Sequence, residues 1–257
     1  MIRTALVGGG ATGIGRAVAE DLARTGHRVV ITGRRAEVLD TAAQELRAAT
    51  GARVHWLVND ISAPDAAAQL LGEIGHEYGP LDVLVLNSGG PAPGSVLDID
   101  DTQWQSAFEL LLLGPLHLAR LVLPAMAQRG FGRVVFVTST AVRQPQAGLA
   151  ASVVLRSAVT AAAKLLSQEF AANGVTVNCV APGATATDRR AQILTARAAA
   201  TGRAFAEVAA EDSAAIPAGR PAEPGEIAAA VAFLASSAAG YVNGTVLTVD
   251  GGRTETI

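Results

Sequence analysis

Short apolar runs rich in β-branched residues recur along the chain, and longer Ala/Leu-rich stretches with helical spacing separate them. The runs are "IRTALV", "RVVIT", "RVHWLV", "DVLVL", "RVVFVTS" and "VTVNCV", and the intervening stretches cover residues 13–25, 36–50, 64–78, 102–129 and 150–172. Continuous apolar runs predict strands covered on both faces, and the longer stretches predict the helices that cover them. Strand and helix in strict alternation predict an α/β chain with a parallel, doubly wound sheet, because right-handed crossovers leave few other arrangements. After Gly183 the rhythm changes. Residues 188–215 are Ala/Arg/Glu-rich with no strand, a further helix opens at Pro224, and "TVLTVDGG" supplies a last strand, about the seventh.

No linker, repeat or charge run divides the 257 residues, half of them hydrophobic, so residues 1–257 are expected to form a single domain with one sizeable core. The segment 184–215 is expected to act as a helical lid over a substrate pocket. A formal net charge of −3 with singly scattered basic residues argues against a nucleic-acid partner. No apolar run approaches about 18 residues and no leader pattern precedes the first strand, so the cytoplasm is expected and no membrane. The lone Cys179 lies in an apolar run and is expected to be buried. Trp56 and Trp104 are expected in the core, and His27, His55, His76 and His117 lack the spacing of a metal site, so no metal is expected. Only Lys164 among the 20 basic residues is a lysine, so an arginine at a given position can reflect bias as well as chemistry.

The candidate chemistry begins where the first strand runs into "GGGATGIG". Gly9, Gly13 and Gly15 form a G-x-x-x-G-x-G turn, with Thr12 and Ile14 between them, leading into a helix near Ile14. Such a turn lets backbone N–H groups and the positive end of a helix dipole approach a pyrophosphate.

Together with "NDI" at 59–61, "NSGG" at 87–90, "TVNCVAPGATATD" at 176–188 and the "VDGG" ending, this turn resembles the short-chain dehydrogenase/reductases over essentially the whole chain, and 3-oxoacyl-acyl-carrier-protein reductases in particular. The resemblance implies a Rossmann-type fold and a nicotinamide dinucleotide. It implies that Asp60, beside Ile61, receives the adenine amino group, that Asn87 and Gly89 pass close to the ribose, and that Pro182, Gly183, Thr185 and Thr187 border the nicotinamide. At the end of the second strand, where an NAD-preferring member carries an acid, stand Gly33, Arg34 and Arg35. A guanidinium grips a 2′-phosphate that an acid would repel, so NADP(H) is expected over NAD(H).

In the family a serine after the fifth strand is followed thirteen residues later by a tyrosine, then by a lysine four further on, itself twenty-two before the asparagine of "TVN". Counting from Ser139 reaches Ser152, and counting back from Asn178 reaches Arg156. The family's further asparagine, twenty-eight before the serine, falls on Leu111. The pair Thr160 and Lys164 copies the hydroxyl-to-lysine spacing, but using it would move the pair by about 12 Å along its helix. Ser139 is thus retained, whereas Ser152, Arg156 and Leu111 replace the residues that move the proton. At neutral pH serine is a much poorer acid than a tyrosine, and arginine stays protonated. Arg143, in the loop after Ser139, is a candidate contact for an anionic substrate.

Three readings stay open: a divergent NADP(H)-dependent oxidoreductase acting on a carbonyl, an alcohol or another activated electrophile, a redox-neutral enzyme such as a cyclase, isomerase or eliminase, and a cofactor-bound non-catalytic scaffold. A homo-oligomer, tetramer or dimer, is expected, because helices 102–129 and 150–172 are apolar beyond the face one sheet can cover.

Overall fold

The structure is a computed structural model and describes residues 2–256. The strands are β1 (Thr4–Gly8), β2 (Arg28–Gly33), β3 (Val54–Val58), β4 (Leu81–Leu86), β5 (Gly132–Val137), β6 (Val175–Pro182) and β7 (Val246–Val249). The helices are α1 (Gly13–Arg24), α2 (Ala36–Thr50), α3 (Ala66–Tyr78), α4 (Asp101–Phe108), α5 (Gly114–Gln128), α6 (Ala150–Phe170), α7 (Asp188–Thr201), α8 (Phe205–Ala214) and α9 (Pro224–Ala235). All neighbouring strands pair in parallel, in the order β3-β2-β1-β4-β5-β6-β7. The predicted α/β sheet is therefore present, and β6 is buried along its whole length, as a doubly covered strand must be.

Two core layers flank the sheet. On one face Val18 and Leu22 of α1, Leu39 and Leu46 of α2, and Ile227 and Leu234 of α9 meet Val7, Ile31 and Val85. On the other, Leu70 and Ile74 of α3, Leu118, Leu123 and Met126 of α5, and Val159 of α6 meet Leu6, Leu84 and Phe136. Cys179 is buried there as expected. Trp56 is only partly buried, its indole N–H donating to Asp40 Oδ1 at 3.1 Å. Trp104 is partly buried against a small satellite cluster around Leu111.

The helix expected over 102–129 is present as one stretch, Asp101–Gln128, but it is not regular throughout. Between α4 and α5, Glu109–Leu113 forms one π-helical turn, with the Gly114 N–H reaching back five residues to the Glu109 carbonyl. Pro115 supplies the physical reason: it has no N–H to return to the Leu111 carbonyl, and its ring crowds that carbonyl in a regular α-turn. Upstream, α4 is fixed by a capping box between Asp100 and Gln103. The helix expected from residue 64 begins at Ala66, after Pro64 and a left-handed Asp65. In the expected lid, Gly202 at φ 64° ends α7 and separates it from α8.

Residues 101–128 and 150–173 are long and apolar enough, by length and composition, to cross a membrane, which the reading of uninterrupted apolar runs missed. In this fold each stretch lays its inner side chains against the sheet, and charged and polar residues such as His117, Arg120 and Ser157 interrupt the outer faces.

Candidate active site

The sheet order reverses between β1 and β4, where ligands of open α/β sheets bind beyond the carboxyl ends of the strands. A cleft of about 590 Å³ opens there, running from Arg34, Arg35 and Asp60 past Gly9 and Thr12 to Asn87 and Gly90. Its floor is built by close backbone approach. A Cβ on Gly15 would stand 2.1 Å from the Gly9 carbonyl oxygen, and one on Gly8 would stand 2.7 Å from that of Asn87. Gly9 at φ 58° and Gly13 at φ 52° take left-handed conformations that side chains resist. The turn thus presses the first residues of α1 against the ends of β1 and β4, and Asn87 Nδ2 ties the two strands by donating to Gly8 O at 3.1 Å. Thr12, extended at φ −144°, lines the cleft and precedes α1 without a side-chain capping bond, so no Thr12 hydroxyl occupies the N–H groups of the first turn. Ile14 packs its side chain on the core.

At the cleft's outer end, Arg34 and Arg35 are exposed, and neither pairs with a carboxylate among the described residues. Asp60 accepts from the Ser62 N–H at 3.1 Å and its hydroxyl at 2.6 Å, both on Oδ1, which leaves Oδ2 free to receive a donor. Ile61 and Gly89 line the same cleft. Ile61 also lies under the start of α5, where a Cβ on Gly114 would meet its carbonyl oxygen at 2.1 Å.

The residues after β6 act differently from one another. A Cβ on Gly183 would meet that of Asp250 at 2.6 Å, and its N–H donates to Val249 O, so Pro182 and Gly183 join β6 to the end of β7. Thr185 is buried, with its hydroxyl on Gly183 O at 3.2 Å. Thr187 caps α7 and leans over the glycine turn, 3.2 Å from where a Gly13 Cβ would be. Of these four, Thr187 is the side chain brought against the turn.

Polar groups gather beyond the end of β5. Ser139 Oγ accepts the Ala141 N–H at 3.2 Å, which leaves its own proton to donate elsewhere. Arg156 Nη1 donates to the Val137 carbonyl at 2.6 Å, two residues before Ser139. Burial, and then the charge of Arg189, push its guanidinium down to about 10, so it remains a cation at neutral pH. Ser152 lies one turn earlier on α6, on the same side of the helix, and its half-buried hydroxyl has no hydrogen-bond partner among the described residues. Leu111, in the π-turn, is 3% exposed and packs on Ala151 and Leu155, placing an apolar side chain beside that segment of α6.

Other candidates lie apart. Thr160 spends its hydroxyl on the Arg156 carbonyl at 2.7 Å, and Lys164 reaches Gly244 O at 3.4 Å, both on a separate hollow at the β7 edge. Arg143 is exposed and turns to Val246 O on that same edge strand, at 3.3 Å, so it is not brought into the group around Ser139. The Cys179 thiol is pushed up to about 12 by burial and is no nucleophile. No cluster of metal-ligating side chains occurs among the described residues.

Arg189, which sequence reasoning passed over, stands in the first turn of α7 with its guanidinium against Gly90 and a hydrogen bond to Pro91 O. A signal existed in "TDRR": cations in a helix's first turn oppose its dipole and call for a local reason. Arg190 has one in buried Asp212, at 2.8 Å, which also receives Arg253 at 2.9 Å and ties α7, α8 and the C-terminal segment together.

Comparison with known proteins agrees with this architecture. The family described as enoyl-(acyl carrier protein) reductase matches residues 9–254. The chain is 34% identical to the 3-oxoacyl-[acyl-carrier-protein] reductase FabG of Haemophilus influenzae over 97% of each protein. It is 38% identical to the cis-4-hydroxycyclohexanecarboxylate dehydrogenase of Sinomonas cyclohexanicum, over 98% of this chain and 96% of that one. The crystal structure of YwfH, an NADPH-dependent reductase involved in bacilysin biosynthesis, superimposes over the full length of both chains with a TM-score of 0.95 at 29% identity. A glycine turn at the switch point, a single parallel sheet in this order and likeness over nearly the whole length have one common reading: the chain belongs to the short-chain dehydrogenase/reductase family.

Proposed function

We propose that the protein is an NADP(H)-dependent oxidoreductase that acts on a carbonyl, an alcohol or another activated electrophile and handles the proton without a tyrosine. The observation that supports this reading is the cation Arg156 held on the end of β5, two residues before Ser139, in a fold whose glycine turn lies at the switch point of the sheet. By family register, Ser152, Arg156 and Leu111 occupy the tyrosine, lysine and asparagine positions.

The cleft fits the cofactor by its own features: a turn with no room for side chains, a helix N-terminus aimed at it, and two unpaired arginines at the end where a 2′-phosphate would lie. The turn from Gly9 to Gly15 would hold the pyrophosphate, Asp60 the adenine amino group, and Arg34 with Arg35 the 2′-phosphate. Asn87 and Gly89 would border the ribose. When bound, the cofactor supplies a hydride to the substrate carbon and is oxidised. Ser139 donates its free hydroxyl proton as a hydrogen bond to the substrate oxygen, and Arg156 stabilises the negative charge that grows there. Ser152 stops about 4 Å short of where a phenol oxygen would reach, which leaves room for a water to deliver the proton. The loss of a positioned general acid costs about 10² to 10⁴ in rate, so the reading favours substrates activated by their own chemistry.

Substrate-dependent NADPH oxidation tests the proposal. Turnover without consumption would replace it by redox-neutral chemistry, and nucleotide binding without turnover would leave a scaffold. We also propose a homo-oligomer, dimer or tetramer, through α5 and α6, whose outer faces leave Leu121, Val154 and Leu165 about half exposed. A monomeric mass by light scattering at micromolar concentration would defeat it.

A further inference from the structure

We propose that Arg156 and Arg189 form a two-guanidinium seat for an oxyanion group, carboxylate or phosphate, that the substrate carries next to its reacting carbon. The inference rests on the reading of this cleft as the active site and adds the substrate class.

The two side chains come from different elements and are anchored on the segments that leave two neighbouring strands. Arg156 comes from α6 and is fixed on the carbonyl of Val137, the last residue of β5. Arg189 comes from α7 and is fixed on the carbonyl of Pro91, in the loop that leaves β4. Strands β4 and β5 are neighbours, so the anchoring carbonyls belong to segments at adjacent carboxyl ends of the sheet, Val137 at the end of β5 and Pro91 in the loop beyond β4. Arg189 lies where the dinucleotide cleft ends, since a Cβ on Gly90 would touch its Nη2 at 2.8 Å and its Nε at 2.9 Å.

Each guanidinium carries five N–H donors, and each has one hydrogen bond, to a main-chain carbonyl. Neither has a carboxylate within 4.0 Å among the described residues. Two cations that are partly withdrawn from water and near enough to repel are unfavourable alone, and burial lowers the proton affinity of both. The adjacent Arg190 shows the ordinary solution, a buried aspartate partner, which Arg189 lacks. Arg189 also gains nothing from its helix, because a cation in the first turn of α7 opposes the dipole. An anion between the two would use the unspent donors in the bidentate geometry that guanidinium favours. In the proposed function the glycine turn, midway along the cleft, and Arg34, at its outer end, take the cofactor's phosphates, which leaves the substrate as the occupant of the seat.

Calorimetric titration with oxalate, inorganic phosphate and the neutral isostere oxamide, with and without saturating NADP⁺, decides the matter. Wild-type protein should bind oxalate or phosphate and not oxamide. Arg189→Ala should weaken that binding about ten- to hundredfold, with NADP⁺ affinity retained and partial recovery in Arg189→Lys. Arg197→Ala, which removes an exposed arginine further along α7, should leave anion binding unchanged. Preference for oxalate assigns a carboxylate substrate and preference for phosphate a phosphorylated one. Equal binding of oxamide, no loss in Arg189→Ala, or an equal loss in Arg197→Ala would each overturn the seat. Failure of NADP⁺ to bind would overturn the proposed function instead, and the titration without nucleotide would still judge the seat.

Discussion

The two sides of the candidate site are built from different materials. On the β1–β4 side, the cradle is backbone: glycines in left-handed turns, a helix end and carbonyls packed to within a missing Cβ of each other. On the β5–α6 side, the proposed chemistry rests on a few side chains, Ser139, Ser152 and Arg156, with Leu111 packed on Ala151 and Leu155 of α6. Such a backbone cradle resists substitution at Gly8 and Gly15, where an added Cβ would collide with main chain, and at Gly9 and Gly13, where φ is positive. A side-chain constellation can be exchanged one residue at a time while the fold persists, which is how one scaffold accommodates different chemistry. The nucleotide end therefore keeps the family pattern, and the proton-transfer end is where this chain is proposed to differ.

Substitutions on each side can break that contrast. The largest effect is expected from rebuilding the proton relay: Leu111→Asn, Ser152→Tyr and Arg156→Lys together should raise single-turnover reduction of an activated diketone by about 10²-fold or more. Any one of them alone should gain little, because the three positions serve one relay. Leu111→Asn puts an amide among Ala107, Ala151 and Leu155, so its Tm should be recorded alongside. A full gain from Ser152→Tyr alone would dissolve the idea of a jointly altered centre. Next in size, Arg34→Ala should weaken NADPH binding by about 1.5–3 kcal/mol and leave NADH nearly unaffected, as read by nucleotide fluorescence. Equal loss for both nucleotides would remove the 2′-phosphate from the account. Smaller, at about 1–3 kcal/mol of stability in thermal unfolding, is the effect of Gly15→Ala, whose methyl would stand 2.1 Å from the Gly9 carbonyl oxygen. It should also weaken NADPH and NADH alike, in contrast to Arg34→Ala.

The sheet and the backbone cradle were legible in the sequence because both are written locally. Apolar runs mark doubly covered strands, and a spaced glycine at the end of the first run marks the turn. What was missed depends on groups far apart in the chain or on small changes of helical pitch. The π-turn at Glu109–Leu113 leaves the apolar periodicity of 102–129 intact, and only the missing N–H of Pro115 hints at it. Arg143 was expected near a substrate because it follows Ser139 closely, yet the 3₁₀ turn Thr140–Val142 sends it to the β7 edge. Arg189 was overlooked because its lack of a partner, and the pairing of Arg190 with Asp212, arise from how α7 and α8 fold back on the sheet. Pro182, Gly183 and Thr185 were recognised by pattern, but their buried, strand-joining role follows from the pairing of β6 with β7.

The central claim, proton handling without a titrating tyrosine, is tested most directly by the pH dependence of single-turnover NADPH oxidation in the wild-type protein. Of Ser139, Ser152 and Arg156, the one with a shifted titration is Arg156, pushed down to about 10, and in the proposed function its charged form stabilises the oxyanion. The rate should therefore be level from about pH 6 to 9 and fall as pH rises through about 10. Unfolding through this group would not explain the fall, because an arginine whose proton affinity is lowered by folding destabilises the native state while charged, and that penalty is relieved as it deprotonates. Circular dichroism over the same range should stay constant. A single titration between pH 6 and 9 that persists in Arg156→Lys would reveal another general acid in the centre and contradict the account.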